Sequence, residues 1–215
     1  IRNNIVSLAK MIGYTPSSPR APMASIDIQL NNASGTSVTM SKGTVFTTTV
    51  ENTSYQYVTN SDITITPSSG IFKFSSVPIY EGSLVTFKYT NDVNDVDQKF
   101  IIPSANADTS TILVKVQNSA TDTTTNTYAL AGGYNSVNAN SNVYFIQEGQ
   151  DSKYEIYFGD GINGKALQDG NIVILEYIVT NKEVSNSASS FTLSGNIGGF
   201  SDVTITTVSN SQGGS

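Results

Sequence analysis

The chain has 215 residues, a net charge of −6 and a pI near 4.5, and its 11 cations are scattered with no basic run. That balance excludes a nucleic-acid surface, which needs clustered Lys and Arg to neutralise phosphates. It contains no Cys and no His, which removes disulfides, thiolate nucleophiles and the commonest general base and transition-metal ligand.

Ile1, Ile5, Leu8 and Ile12 recur at helical spacing, so a helix is expected over residues 1–12. Gly13 can close it and Pro16 blocks its continuation. Residues 14–24 hold three prolines and read as an extended connector. The Ile1 start and the Gly-Gly-Ser end point to a piece of a longer polypeptide.

Strands follow. Ile26, Ile28 and Leu30 alternate with polar residues, and further short alternating segments run through Val38 and Met40, Phe46 to Val50, Ile63 and Ile65, Phe72 and Phe74, and Val85 to Tyr89. Asn, Asp, Pro, Ser and Gly clusters separate them, which predicts a β-sandwich or barrel-like unit from about 24 to 102. Ser, Thr and Asn make up roughly a third of the chain, well above ordinary usage. Thr suits strands, and Asn and Ser suit turns.

Residues 91–98 form an acidic turn. The glycine and glutamate positions of an EF-hand loop begun at Asp92 hold Asp97 and Pro103, so that Ca²⁺ motif fails. A second β region begins near Ser110, and residues 118–127 read as a polar mobile loop. The strongest strands are 143–146, 153–158 and 172–179. Phe191 to Leu193 and Val203 to Val208 read as strands or an interface arm, and residues 209–215 as unstructured. No window reaches the ~18–20 apolar residues of a membrane helix.

The most informative stretch is 152–175, SKYEIYFGDGINGKALQDGNIVIL. Two alternating strands flank a loop containing Gly159, Asp160, Gly161, Gly164, Lys165 and Gly170, which predicts a hairpin with a shaped tip. Asp160, Asn163 and Asp169 could offer oxygens to Ca²⁺, but turn chemistry accounts for the same residues. Lys165 is followed by Ala166-Leu167 and another strand, the wrong context for a phosphate-binding loop. Asp160, Asp169, Glu155 and Glu176 lie close in sequence, and paired carboxylates can cleave glycosides. No substrate cleft or further catalytic group accompanies them. Without His, a Ser-His-Asp triad cannot be built from this chain.

The run EIYFGDGINGKALQDGNIVILEY resembles the core motif of the baseplate-J-like proteins of contractile-tailed bacteriophages, among them the wedge subunits of T-even-like phages. Three further segments agree in order: Ala9 to Pro16 (AKMIGYTP), Met40 to Phe46 (MSKGTVF), and Ile102 to Asp108 (IPSANAD) with Thr111 to Val114. Thr180-Asn181-Lys182-Glu183 departs from the family's Gly and Asn-Gly ending.

The fold expected is mainly β, with two antiparallel, sandwich-like β domains in series and one N-terminal helix. The segments are a helix and connector at 1–23, a first β domain at 24–102, a second with the FGDG hairpin at 103–182, and an arm or tail at 183–215. The resemblance implies a structural subunit of a phage tail baseplate wedge. Such a subunit is not an enzyme. It contacts copies of itself and other wedge proteins in a ring around the tail tube, is assembled in the host cytoplasm and is carried in the virion. No catalytic residue, metal, cofactor, nucleic acid, membrane or small-molecule substrate is expected. Candidate interface residues are Ile1, Ile5, Leu8, Ile12, Tyr157, Phe191 and Leu193. The alternatives are an extracellular β adhesin or carbohydrate-binding module, and a glycosidase.

Overall fold

A computed structural model describes residues 17–132, 137–149 and 151–215. The expected helix with Ile1, Ile5, Leu8 and Ile12 lies outside the described residues. The described chain is β throughout, apart from one 3₁₀ turn at Lys182–Ser185. It divides into two compact units. One is formed by residues 19–84 and 178–215, and the other by residues 85–177 with residues 17–18. The serial order expected from the sequence is therefore replaced by an insertion. The chain begins the first unit, completes the second, and returns to finish the first.

The first unit is built on a six-stranded sheet. Its strands are β1 (Met23–Leu30), β3 (Val45–Val50), β4 (Thr53–Val58), β6 (Phe72–Glu81), β14 (Thr192–Ser194) and β15 (Val203–Gln212). They lie in the order β14-β3-β4-β6-β1-β15. The insertion follows from the pairing of β1 with β15, antiparallel with Ile28 opposite Ile205. Strand β1 shows why period-two patterning works: Ala24, Ile26, Ile28 and Leu30 are buried and the residues between them are not. Phe72, Phe74, Val77 and Ile79 of β6 join them in one core with Phe46 and Tyr57. A bulge at Ser76, with φ of 51°, accounts for the shift of inward positions along β6. There the Asp27 carboxylate accepts from the Ser76 amide at 2.8 Å and meets Lys73 Nζ at 2.7 Å. A two-stranded ribbon, β2 (Val38–Met40) and β5 (Ile63–Ile65), adds Val38 and Met40 to the core.

The two ends of this sheet come together just before β14. Ser187 N donates to Ser211 O at 2.7 Å, Ser211 N to Ala188 O at 2.9 Å, and Thr207 Oγ1 to Ser189 O at 2.8 Å. One sheet rolled toward closure, the barrel-like alternative for this region, replaces the expected sandwich. Rolling satisfies edge backbone groups that an open sheet would expose. Residues 209–215 are likewise not a loose tail. β15 continues to Gln212, and Arg20 and Ser215 exchange two backbone hydrogen bonds at 2.8 and 3.1 Å.

The second unit carries most of a seven-stranded sheet in the order β7-β13-β9-β10-β11-β12-β8. The strands are β7 (Ser83–Thr90), β8 (Phe100–Ile101), β9 (Ala107–Gln117), β10 (Thr125–Leu130), β11 (Val143–Glu148), β12 (Tyr154–Phe158) and β13 (Ile172–Val179). β10 and β11 are parallel, with Ala129 opposite Val143, an exception to the antiparallel expectation. The outermost strands, β7 and β8, are joined by Tyr89, whose hydroxyl donates to Ile101 O at 2.7 Å and whose ring meets Phe100 edge-on at 5.7 Å. This sheet too curls toward closure. Phe100, Phe158 and Tyr128 continue the aromatic contacts at 5.5 Å centroid spacing. The expected mobile loop at 118–127 is a tight turn, with Asn118 N bonded to Thr124 O at 3.0 Å, and its last residues belong to β10.

Candidate functional site

The FGDG segment leaves β12 as a shaped loop. Strand β12 pairs with β11 and β8, whereas β13 lies between β7 and β9. The expected two-strand hairpin therefore does not form, and the loop instead crosses over to a distant strand of the sheet. Asp160 organises it: its Oδ1 accepts from the amides of Ile162 at 2.9 Å and Asn163 at 2.8 Å. Gly161 N donates to Gly164 O at 3.0 Å, Gly164 N to Asn138 O at 3.1 Å, and Lys165 N to Ser141 O at 2.9 Å. The loop is therefore stitched both to itself and to the segment preceding β11.

Gly159 and Gly164 are what allow this. A Cβ on Gly159 would lie 2.5 Å from Gly164 Cα and closer still to its carbonyl. Gly164 has a φ of +98°, and a Cβ there would meet Val143 Cγ2 at 2.9 Å. Two backbones touch where any side chain would separate them. The outcome is a closely packed tip in which Ile162 is 73% exposed.

The tip's carboxylate has work to do within the loop. The amides of Asn163 and Ile162 hold the Asp160 carboxyl below the ordinary carboxylate range. A depressed folded pKa contributes order that is present above the unfolded value of about 3.9 and lost as pH falls through the folded value. The Ile162 and Asn163 amide signals are thus expected to hold steady on acidification through the ordinary Asp range and to shift only below it. An NMR titration with its midpoint at or above the ordinary value would remove Asp160 as the organiser.

The neighbouring carboxylates are each engaged separately. Glu155, 6% exposed, lies 3.9 Å from Lys99 Nζ, and Glu176, 9% exposed, lies 3.6 Å from Lys115 Nζ. Asp169 Oδ1 accepts from Val93 N at 3.3 Å. Asp92 and Asp95 cap their own turns, each accepting the amide two residues on. Among the described residues, no group of three or more acids is placed to hold a metal ion. A hydroxyl-lined depression formed by Thr47, Thr48, Thr49, Ser54, Ser190 and Thr192 has no aromatic wall, so it lacks the flat apolar face on which a sugar ring stacks.

Of the expected interface residues, Tyr157 is 37% exposed, whereas Ile156 of the same strand is buried. The Tyr157 hydroxyl bonds Gln147 Nε2, and burial together with the adjacent Glu155 carboxylate pushes its pKa up to about 12. Phe191 is buried in its own unit, meeting Tyr57 edge-on at 5.0 Å. Leu193 sits in β14 opposite Phe46. The apolar surface these two residues need is supplied by the chain itself.

Three features escaped the sequence reading. The Tyr57 hydroxyl is buried among Ser185 O at 3.0 Å, Ser185 Oγ at 2.8 Å and Ser211 Oγ at 2.6 Å, tying the late segment to β4. Glu81, read as part of a turn, is fully buried. Ile162 is the most exposed large apolar residue of the FGDG loop and its flanking strands, and only its place between Gly161 and Asn163 hinted at it.

Residues 86–191 match the family model of the third domain of bacteriophage baseplate wedge protein gp6. The chain is also 24% identical over 210 residues to baseplate wedge protein gp6 of Enterobacteria phage T4, an alignment covering 89% of this chain and 31% of that protein. It thus spans about a third of the length of the curated relative it matches. The family model runs through the second unit and ends within the returning segment of the first, so the resemblance rests on the FGDG region and its surroundings together. By these two matches the chain is similar to bacteriophage baseplate wedge proteins.

Proposed function

We propose that this chain is a structural segment of a phage tail baseplate wedge, working by protein–protein contact and catalysing nothing. The match of residues 86–191 to a wedge-protein domain carries the reading. In it, the chain joins copies of itself and other wedge proteins in a ring around the tail tube, is assembled in the host cytoplasm and is carried in the virion. The physical support is a pair of curled sheets, each stitched at its ends, and a hydrogen-bonded loop tip that offers an apolar side chain with less loop entropy to lose on docking. Ile162 and Tyr157 are the contact residues we favour in the described region, with Ile1, Ile5, Leu8 and Ile12 as a further candidate stripe.

The test is association. The purified chain, alone and mixed with the other wedge proteins of the same virion, is examined by size exclusion with light scattering. Self-association or co-elution is expected, weakened roughly tenfold or more by Ile162→Asp or Tyr157→Asp, in line with losing a central apolar anchor. A chain that stays monomeric and ignores every tail protein would rule the reading out. Turnover of a defined glycan, or micromolar glycan binding, would replace it with one of the alternatives.

A further inference from the structure

The segment between β12 and β13 contains three Asx-Gly pairs: Asp160-Gly161, Asn163-Gly164 and Asp169-Gly170. Asn-Gly is chemically fragile in an open chain. The glycine amide nitrogen attacks the asparagine side-chain carbonyl carbon, a C–N bond forms, and ammonia leaves. Water then opens the resulting succinimide at either carbonyl, giving aspartate or isoaspartate. Glycine is the worst follower because no side chain hinders its nitrogen and its backbone turns freely. Asp-Gly closes the same ring with loss of water.

In this fold each of the three glycine nitrogens donates to a carbonyl other than its neighbour's side chain. Gly161 N is bonded to Gly164 O at 3.0 Å, Gly164 N to Asn138 O at 3.1 Å, and Gly170 N to Asn91 O at 2.9 Å. Gly164 is held further by its backbone contact with Gly159 and by Val143. The Asn163 amide is engaged with Asp160 Oδ1 at 2.8 Å, and the Asp160 carboxylate faces the Ile162 and Asn163 amides.

We propose that Asn163 is a latent modification site, kept silent by the folded loop and released to deamidate when the tip opens. Ring closure requires Gly164 N to leave the Asn138 carbonyl and Gly164 to swing off Gly159. Losing those contacts before reaction slows it by roughly tenfold to a hundredfold relative to the unfolded chain. The change is one-way. Isoaspartate lengthens the backbone by one carbon, and either product puts a second carboxylate beside Asp160. The modified tip cannot rebuild the Gly159–Gly164 contact unchanged, so the residue records past opening.

The experiment is peptide mapping by mass spectrometry of the full chain aged at mildly alkaline pH, native and in denaturant, beside Gly159→Ala aged natively. Native Asn163 is expected to deamidate roughly tenfold to a hundredfold more slowly than in denaturant. Gly159→Ala should raise its native rate while Asn210, in β15, stays unchanged as a monitor of global unfolding. If Gly159→Ala does not fold, Ser141→Ala serves, because Ser141 Oγ holds the Asn138 amide at 3.1 Å. Native Asn163 reacting as fast as the denatured chain, or a folded loop variant with no acceleration, would overturn the proposal.

Discussion

Replacing Gly82 with alanine is expected to lower the melting temperature by roughly 10 °C, the largest single-site effect of any glycine in the first unit. Two costs combine. The residue has a φ of +118°, and a Cβ would lie 2.9 Å from Val179 C, closer still to Val179 O, and 3.1 Å from Ile178 Cγ2. The backbone strain alone is worth about 1–3 kcal/mol. Displacing packed neighbours adds about 1–3 kcal/mol more, and for a chain of this size each kcal/mol moves the midpoint by about 2–4 °C. Gly35 supplies the control. Its φ is +116°, but nothing lies within 4 Å of its added Cβ, so Gly35→Ala isolates the strain. Calorimetry of the two variants should separate them by several degrees. Equal losses would mean that the close approach to Val179 does not matter.

What the sequence made legible was local. The period-two rhythm of Ile26, Ile28 and Leu30 is a direct imprint of pleating over a one-sided core, and those residues are buried as expected. The glycine-rich tip was also legible, because Gly159 and Gly164 have no side-chain reason to be there and must serve the backbone. Hidden from the sequence was everything set by distant partners. Strand β15 alternates Val203, Ile205, Thr207 and Ser209 on its half-buried face, a weak pattern whose strength comes from pairing with β1 across the whole chain. No linker-like stretch marks the insertion, since the chain passes from β6 to β7 across Gly82 alone and leaves β13 straight into Thr180 and Asn181. Phe191 looked like spare apolar surface only because its partner, Tyr57, lies far away in sequence.

The same logic explains the site. Asp160 was visible as a turn former because its side chain caps residues two and three ahead, which is local chemistry, whereas the Asp169 carboxylate serves the distant Val93 amide. Glu81 was not visible, because a glutamate before a glycine is ordinary turn material until Thr180 and Asn181 are brought to it. The chain's return to the first unit is fastened at that point, which makes it the sharpest test of how the insertion is anchored.

Glu81→Ala is expected to cost about 4 kcal/mol, beyond the usual range for a point substitution. The carboxylate is fully buried. Its Oε2 accepts from Thr180 Oγ1 at 2.6 Å and Asn181 N at 2.9 Å, and its Oε1 from Asn181 Nδ2 at 2.7 Å. Truncation leaves three donors without an acceptor, and hydrogen bonds to a charged group are worth about 1.5–3 kcal/mol each before relaxation recovers part of the loss. Glu81→Gln should cost only about 1–2 kcal/mol, because the Asn181 side-chain amide can flip and offer its oxygen to the new NH₂. Asn181→Asp alone sets two carboxylates face to face and should destabilise strongly. Combined with Glu81→Gln it restores a donor opposite an acceptor, so the double variant should be more stable than Asn181→Asp alone. Denaturant titrations of the four chains close a double-mutant cycle with a coupling of about 1–3 kcal/mol. Additive losses would show that the Glu81–Asn181 contact is not what holds the returning strand.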